Sequence, residues 1–206
     1  MSRVRIYVEG GGDGRVGKSE VRKGFQEFLR EFADVMPAVI ACGGRNQAYD
    51  DFRTALRKHP EAFVILLVDA EGPVLGDVSC RAYLKSREKW DLRDVDEDQV
   101  HLMVQAVEAW LIADPDAIAA FYGNGVNMNA IPTTRNPEDI PKASLKSSLD
   151  GAAQHTPKRG YHEINHCPKT LAAVRPAVVR DRCPHCRALF DVLCTAVGKH
   201  KLSGTE

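Results

Sequence analysis

Apolar positions in the first third of the chain switch between two periods. Residues 3–8, Arg3-Val4-Arg5-Ile6-Tyr7-Val8, alternate polar and apolar side chains and are rich in β-formers, so they predict a strand. Glu9-Gly10-Gly11-Gly12 ends it with a glycine-rich exit. Over residues 19–34, Val21, Phe25, Phe28, Leu29 and Phe32 fall at helical spacing and give one apolar face able to lie on a sheet. Residues 38–42 predict a second strand, stopped by Gly43-Gly44, and Tyr49, Phe52 and Leu56 then repeat at helical intervals. Residues 62–68 form the most apolar run of the protein, short and continuous, as in a central strand covered on both faces. The run stops at Asp69-Ala70-Glu71-Gly72-Pro73.

Strand, helix, strand, helix, strand implies βαβ units, right-handed crossovers and a parallel sheet, hence an α/β fold. Such sheets bind ligands at the carboxyl ends of their strands. Glu9 and the pair Asp69/Glu71 both lie at such ends. The pattern is weaker further along. It predicts a helix over residues 82–90, a solvated acidic loop over 91–98, and a fourth strand over 100–104 leading into a helix that carries Glu108, Ala109, Trp110, Leu111 and Ile112. Residues 124–137, rich in Asn, Pro and Thr, predict a long surface loop. Residues 142–155, 168–175 and 184–197 predict short helices with a basic outer face. The organisation expected is an α/β domain over residues 1–115 and a mostly helical basic region over 116–206.

Composition adds limits. At 206 residues, with 44% apolar and 27% charged side chains, the chain has the make-up of a globular protein, which excludes a disordered chain, a collagen or a coiled-coil rod. Net charge is zero, yet residues 142–206 hold 11 Lys/Arg against 5 Asp/Glu, leaving the first 141 residues acidic. That polarity suits an acidic metal site beside a polyanion-binding surface, and equally a plain dipolar protein. No signal-peptide core and no run long enough to span a bilayer is present, so the expectation is a cytoplasmic protein without a membrane partner, its six cysteines reduced.

Two strings compete for the chemistry. Gly12-Asp13-Gly14-Arg15-Val16-Gly17-Lys18-Ser19 satisfies the phosphate-cradling pattern GxxxxGK[ST] between a strand and a helix, which would make the chain a P-loop nucleotide-binding protein. Against it, Glu9-Gly10-Gly11 lengthens the turn and sets a carboxylate where phosphates would crowd it. The alternative is Glu9 with Asp69 and Glu71. Three carboxylates from adjacent strand ends could hold magnesium or manganese, hard cations that take oxygen ligands, for phosphoryl transfer. The plainer reading is that strand-end acids cap helices and solvate turns. Cys183-Pro184-His185-Cys186, with His166 and Cys167, could contribute to a zinc site, but no second paired CxxC exists. Otherwise Pro184 starts a helix whose apolar face includes Cys186, Leu189, Phe190, Leu193 and Cys194.

Four blocks also resemble a known family. They are Ile6-Tyr7-Val8-Glu9-Gly10-Gly11-Gly12, Ala41-Cys42-Gly43-Gly44-Arg45-Asn46, Leu66-Leu67-Val68-Asp69-Ala70-Glu71-Gly72-Pro73 and His101-Leu102-Met103-Val104-Gln105-Ala106-Val107-Glu108-Ala109-Trp110. Together, and with weaker similarity through Ile140-Pro141-Lys142 and Cys186-Arg187-Ala188-Leu189-Phe190, they resemble small bacterial Toprim-like proteins catalogued mainly as a domain of unknown function. The resemblance implies a Toprim fold as in topoisomerases, bacterial primases and OLD-type nucleases, with Glu9, Asp69 and Glu71 as the metal and acid/base set. The second acid of the DxD-like pair is Glu71 here, which lengthens its reach. It further implies an ABC- or SMC-type ATPase partner in defence against phage, and adds Glu108 as a fourth metal candidate. A charge pairing of Glu108 with Arg45 or with a neighbouring chain is the plainer reading.

Arg45 could grip a phosphate bidentately, and Lys142 could contact one, with Lys146, Lys158 and Arg159 supplying further backbone contacts that weaken with salt. The expected function is a magnesium-dependent nuclease or related phosphoryl-transfer protein acting on nucleic acid. A non-catalytic Toprim-like subunit that binds a partner is the first alternative and a P-loop protein the second. Self-association is left open.

Overall fold

Strands β1 (Val4–Glu9), β2 (Ala38–Gly43), β3 (Phe63–Asp69) and β4 (Val100–Met103) form one all-parallel sheet in the order β2-β1-β3-β4, flanked by helices. The computed structural model describes residues 4–198, so Arg3 of the first predicted strand lies outside the described residues. The fold is α/β, as the alternation of periods predicts. In β3, Val64, Ile65, Leu66, Leu67 and Val68 are all fully buried, because successive side chains enter opposite layers and both layers are covered. Tyr7 on β1 pairs with Ile40 on one side and Leu66 on the other, which sets the carboxyl ends of β1 and β3 side by side.

One layer holds α2 (Arg45–Lys58) and α3 (Cys80–Glu88), with Phe52, Leu84, Leu66 and Val68 in its core. Ser79 caps α3 by accepting the Ala82 amide at 3.2 Å. The acidic loop over 91–98 is pinned by buried Leu92 and Val95 while its acids stay exposed, as predicted of a solvated run.

The other layer starts with α1 (Arg15–Phe28) and a 3-10 segment (Arg30–Val35). Helix α1 begins four residues before the sequence pattern shows it. Gly14 stands at its N-cap in extended conformation, and Val16 in its first turn faces solvent, so apolar spacing carries no signal there. Helices α4 (Glu108–Ala113), α5 (Pro115–Tyr122), α6 (Lys142–Ala153), α7 (Glu163–Ala173), α8 (Pro176–Arg182) and α9 (Pro184–Ala196) complete the layer. Sequence pattern misses α5 and α8, each of which opens on a proline at its first position, where the missing N–H costs nothing. It also starts α7 five residues late, because Pro168 lies inside that helix.

The C-terminal helices share one core with the sheet. Val4, Ile6, Phe25, Phe28, Ile65, Trp110, Leu171 and Phe190 belong to a single buried cluster. Trp110 stacks on Phe28 at 5.4 Å between ring centroids, and Phe28 meets Phe190 edge-on at 5.6 Å. No helix among the described residues is long and apolar enough to cross a membrane.

Candidate functional site

The first strand ends in an irregularity that aims Glu9. Pairing between β1 and β2 shifts register at Val8/Glu9, after which Gly10 and Gly43 exchange two backbone hydrogen bonds of 2.7 and 3.0 Å. Such a bulge redirects the side chain beside it. The chain then turns through Gly10, Gly11 and Gly12, all at positive φ, and passes tightly under α1: a Cβ on Gly17 would lie 2.1 Å from the Gly11 carbonyl oxygen. Only glycine fits at both ends of that contact. Glu9 is thereby brought to Oε2 distances of 3.2 Å from the Asp69 amide, which donates to it, and 3.5 Å from Arg45 Nη2.

At the end of β3, Asp69 Oδ1 accepts the Val107 amide at 3.0 Å, and Oδ2 lies 3.6 Å from Lys142 Nζ. Two residues on, Glu71 sits at φ 65°, left-handed backbone that costs a non-glycine residue about 1 kcal/mol. Its amide donates to the Gln105 carbonyl at 2.8 Å and its carboxylate accepts from Lys142 Nζ. Gln105 holds the other side as well, since its Oε1 accepts the Lys142 backbone amide at 3.2 Å. One glutamine therefore ties the Asp69-Ala70-Glu71 turn to the start of α6.

Glu108 is almost wholly buried at the head of α4, where Tyr161 donates a 3.0 Å hydrogen bond to its Oε1 and Lys146 Nζ approaches to 4.0 Å. The plainer pairing of Glu108 with Arg45 is not formed. Arg45 instead braces the two strand ends with Nη2, which donates to Glu9 and to the Asp69 carbonyl, while Nη1 donates to Glu88.

Electrostatics follows from this packing. Burial pushes the Asp69 carboxyl well above its ordinary range, helped by the charges of Glu9 and Glu108. Burial likewise raises Glu9, against the pull of Arg45, and raises Glu108, against its own backbone hydrogen bond and Lys146. Glu71 goes the other way: burial would raise it, but the hydrogen bond and charge of Lys142 outweigh that and hold it low. The site thus contains three acids poised toward protonation beside one held ionised.

Glu9, Asp69, Glu71 and Lys142 open onto one cavity of about 620 Å³, whose lining also includes the apolar side chains of Phe25, Met103 and Leu171. Of the residues predicted from sequence, Glu9, Asp69, Glu71 and Lys142 line the cavity, Arg45 stands behind Glu9, and Glu108 lies deeper, on Tyr161. Gln105 and Tyr161 escape sequence reasoning. Gln105 carries no charge to mark it, and Tyr161 lies in a stretch without periodicity. The 12–19 string does not form a phosphate-cradling loop: residues from Arg15 onward are helical and the Lys18 amide is used by the Gly14 carbonyl at 3.2 Å. Cys183 and Cys186 are buried free thiols, and Cys186 lies on the apolar face of α9 with Leu189, Phe190, Leu193 and Cys194, the core role the sequence pattern predicts for that face.

Among the described residues, no three His, Cys, Asp or Glu side chains are set together as a metal cage. The donor chemistry nonetheless suits a hard divalent cation, because three carboxylates converge on one cavity and two of them already close on a cation, the ammonium of Lys142.

Neither the curated proteins nor the solved structures contain a match to the chain. A family model does match, that of Domain of unknown function (DUF4276), over residues 8–194, a span that takes in the acidic strand ends, strands β2 to β4 and most of the helices packed over them. The chain therefore belongs to the DUF4276 family.

Proposed function

We propose that this protein is a Toprim-like, magnesium- or manganese-dependent phosphoryl-transfer protein, a nuclease acting on nucleic acid. The observation that carries the reading is the union of Glu9 and Asp69 at the carboxyl ends of neighbouring parallel strands, joined through the Asp69 amide and facing one cavity with Glu71. A divalent ion bound there would supply charge neutralisation at the scissile phosphate and a more acidic water. Glu9, Asp69 and Glu71 would hold it. Glu9, desolvated and raised in pKa, is placed to take or give a proton. Lys142 would meet a phosphate oxygen, and Arg45 would keep Glu9 and the end of β3 in register. Lys146 and Lys158, on the basic C-terminal region, would follow the backbone. The resemblance to Toprim-like proteins extends the proposal to an ABC- or SMC-type ATPase partner in phage defence.

A second reading has its own support. Every acid of the set already has a cation, which suits a non-catalytic subunit whose charge-compensated site is structural. Cleavage of fluorescent DNA and RNA panels under magnesium or manganese titration separates the two, with ATP binding as a control. The expected result is metal-dependent cleavage that falls at least 100-fold in Asp69→Asn. No cleavage in any metal, with partner binding retained in Glu9→Gln, establishes the non-catalytic subunit instead. Tight ATP binding lost in Lys18→Ala would restore the P-loop reading that the helical start of α1 argues against.

A further inference from the structure

The cations at the strand ends are held in different ways. Arg45 is wedged behind them by Glu88, Glu9 and the Asp69 carbonyl. Lys142 reaches in from the first residue of α6, is anchored through its backbone amide to Gln105, and lines the cavity with its side chain about one-quarter exposed. A helix start is an unfavourable place for an ammonium, because the backbone dipoles present positive charge there. The carboxylates of Asp69 and Glu71 therefore keep the Lys142 head group turned inward, and a group that removed them from it would release it toward the cavity.

We propose that Lys142 is an exchangeable internal cation: its ammonium holds the divalent-ion position between Asp69 and Glu71 in the metal-free protein and swings out to the cavity, onto a substrate phosphate, when the ion binds. The inference rests on the metal-dependent reading above and adds an order of events to it. Two carboxylates closed on a monovalent ammonium are shared oxygen ligands that a divalent cation requires, and like charge forbids both cations the same place. Expelled, the Lys142 ammonium faces the cavity beside the positive end of the α6 dipole, where charge attracts phosphate. Metal and polyanion then bind cooperatively, and by linkage each strengthens the other equally. Before the exchange, the site is closed by its own side chain and the acids do not repel incoming nucleic acid.

Direct Mn²⁺ binding to the full chain, measured by electron paramagnetic resonance and calorimetry at pH 8, tests this without any cleavage. Lys142→Met should bind Mn²⁺ at least tenfold more tightly than the wild type, and Lys142→Arg, which keeps the charge, should stay within about threefold of it. Mn²⁺ should also tighten binding of a fluorescent single-stranded DNA to the wild type several-fold, and not to Lys142→Met. Equal Mn²⁺ affinity in wild type and Lys142→Met, with binding lost in Asp69→Asn, overturns the exchange while leaving the metal site in place. Absence of Mn²⁺ binding in all variants, each with a native circular dichroism spectrum, overturns both the exchange and the metal-dependent reading.

Discussion

The charge of Asp69 is costly to the fold. Burial raises its folded-state pKa, so a neutral carboxyl is favoured in the native state. The stability this contributes is fully present at acid pH, below the unfolded value, and is lost as pH rises through the folded value. Asp69→Asn keeps an oxygen for the Val107 amide and never ionises. Its melting temperature should exceed that of the wild type at pH 8, by about 2–4 °C per kcal/mol recovered, and the gap should close as pH falls toward 4. A variant less stable than wild type at pH 8 would mean that Lys142 compensates the charge more fully than burial penalises it. Glu71 runs with the opposite sign: its lowered pKa gives stability above the ordinary carboxylate range that is lost on acidification. The acids themselves were legible in the sequence because strand ends can be read from hydrophobic runs. Two of their partners were not: Gln105 and Tyr161 come from later segments, and nothing in their spacing announces that the chain returns them to the site, whereas the sequence marks Lys142 as a phosphate contact and not as the partner of Asp69 and Glu71.

Between elements, α1 packs tightly on α7. A Cβ on Gly24 would fall 2.5 Å from the Pro168 carbonyl oxygen, which is main chain and has little room to yield. Replacing a helical glycine by alanine ordinarily gains up to about 1 kcal/mol, whereas overpacking a core costs about 1–3 kcal/mol. Gly24→Ala should therefore lower the denaturation midpoint, while Gly151→Ala in α6, whose Cβ would meet only Ala130 at an ordinary 3.5 Å, should raise it. Urea titration of both reads the sign of each, and a stabilised Gly24→Ala would show the contact to be looser than its geometry. At this scale the sheet could be foreseen because β1, β2 and β3 have strong period-two or continuous apolar patterns. Prolines obscured three of the later helices, α5, α7 and α8: Pro115 and Pro176 start helices too short to establish a period, and Pro168 sits within one that it should have ended.

The whole molecule is held by two cores on opposite faces of the sheet, and the larger draws on both the first helix and the last. Val21, Phe25, Phe28 and Phe32, which read as a sheet-facing stripe, are covered jointly by the sheet and by α7, α9 and Trp110. A fragment of residues 1–115 leaves that stripe open, and it should show no cooperative unfolding transition and should bind a hydrophobic dye, in contrast to the full chain. A sharp transition in the fragment would instead establish residues 1–115 as a self-sufficient domain. The sequence separates the two regions by charge and pattern, yet charge sits on the surface and says nothing of which apolar faces meet inside.

The edge-on contact of Phe28 with Phe190 joins residues about 160 positions apart. On a ribosome adding about 5–20 residues per second, the first helix would emerge roughly 10–30 s before its last covering helix is made. For that interval a nascent chain carries an uncovered aromatic stripe. Synthesis rate and chaperone supply, rather than equilibrium stability, would then set how much of this protein reaches its native state.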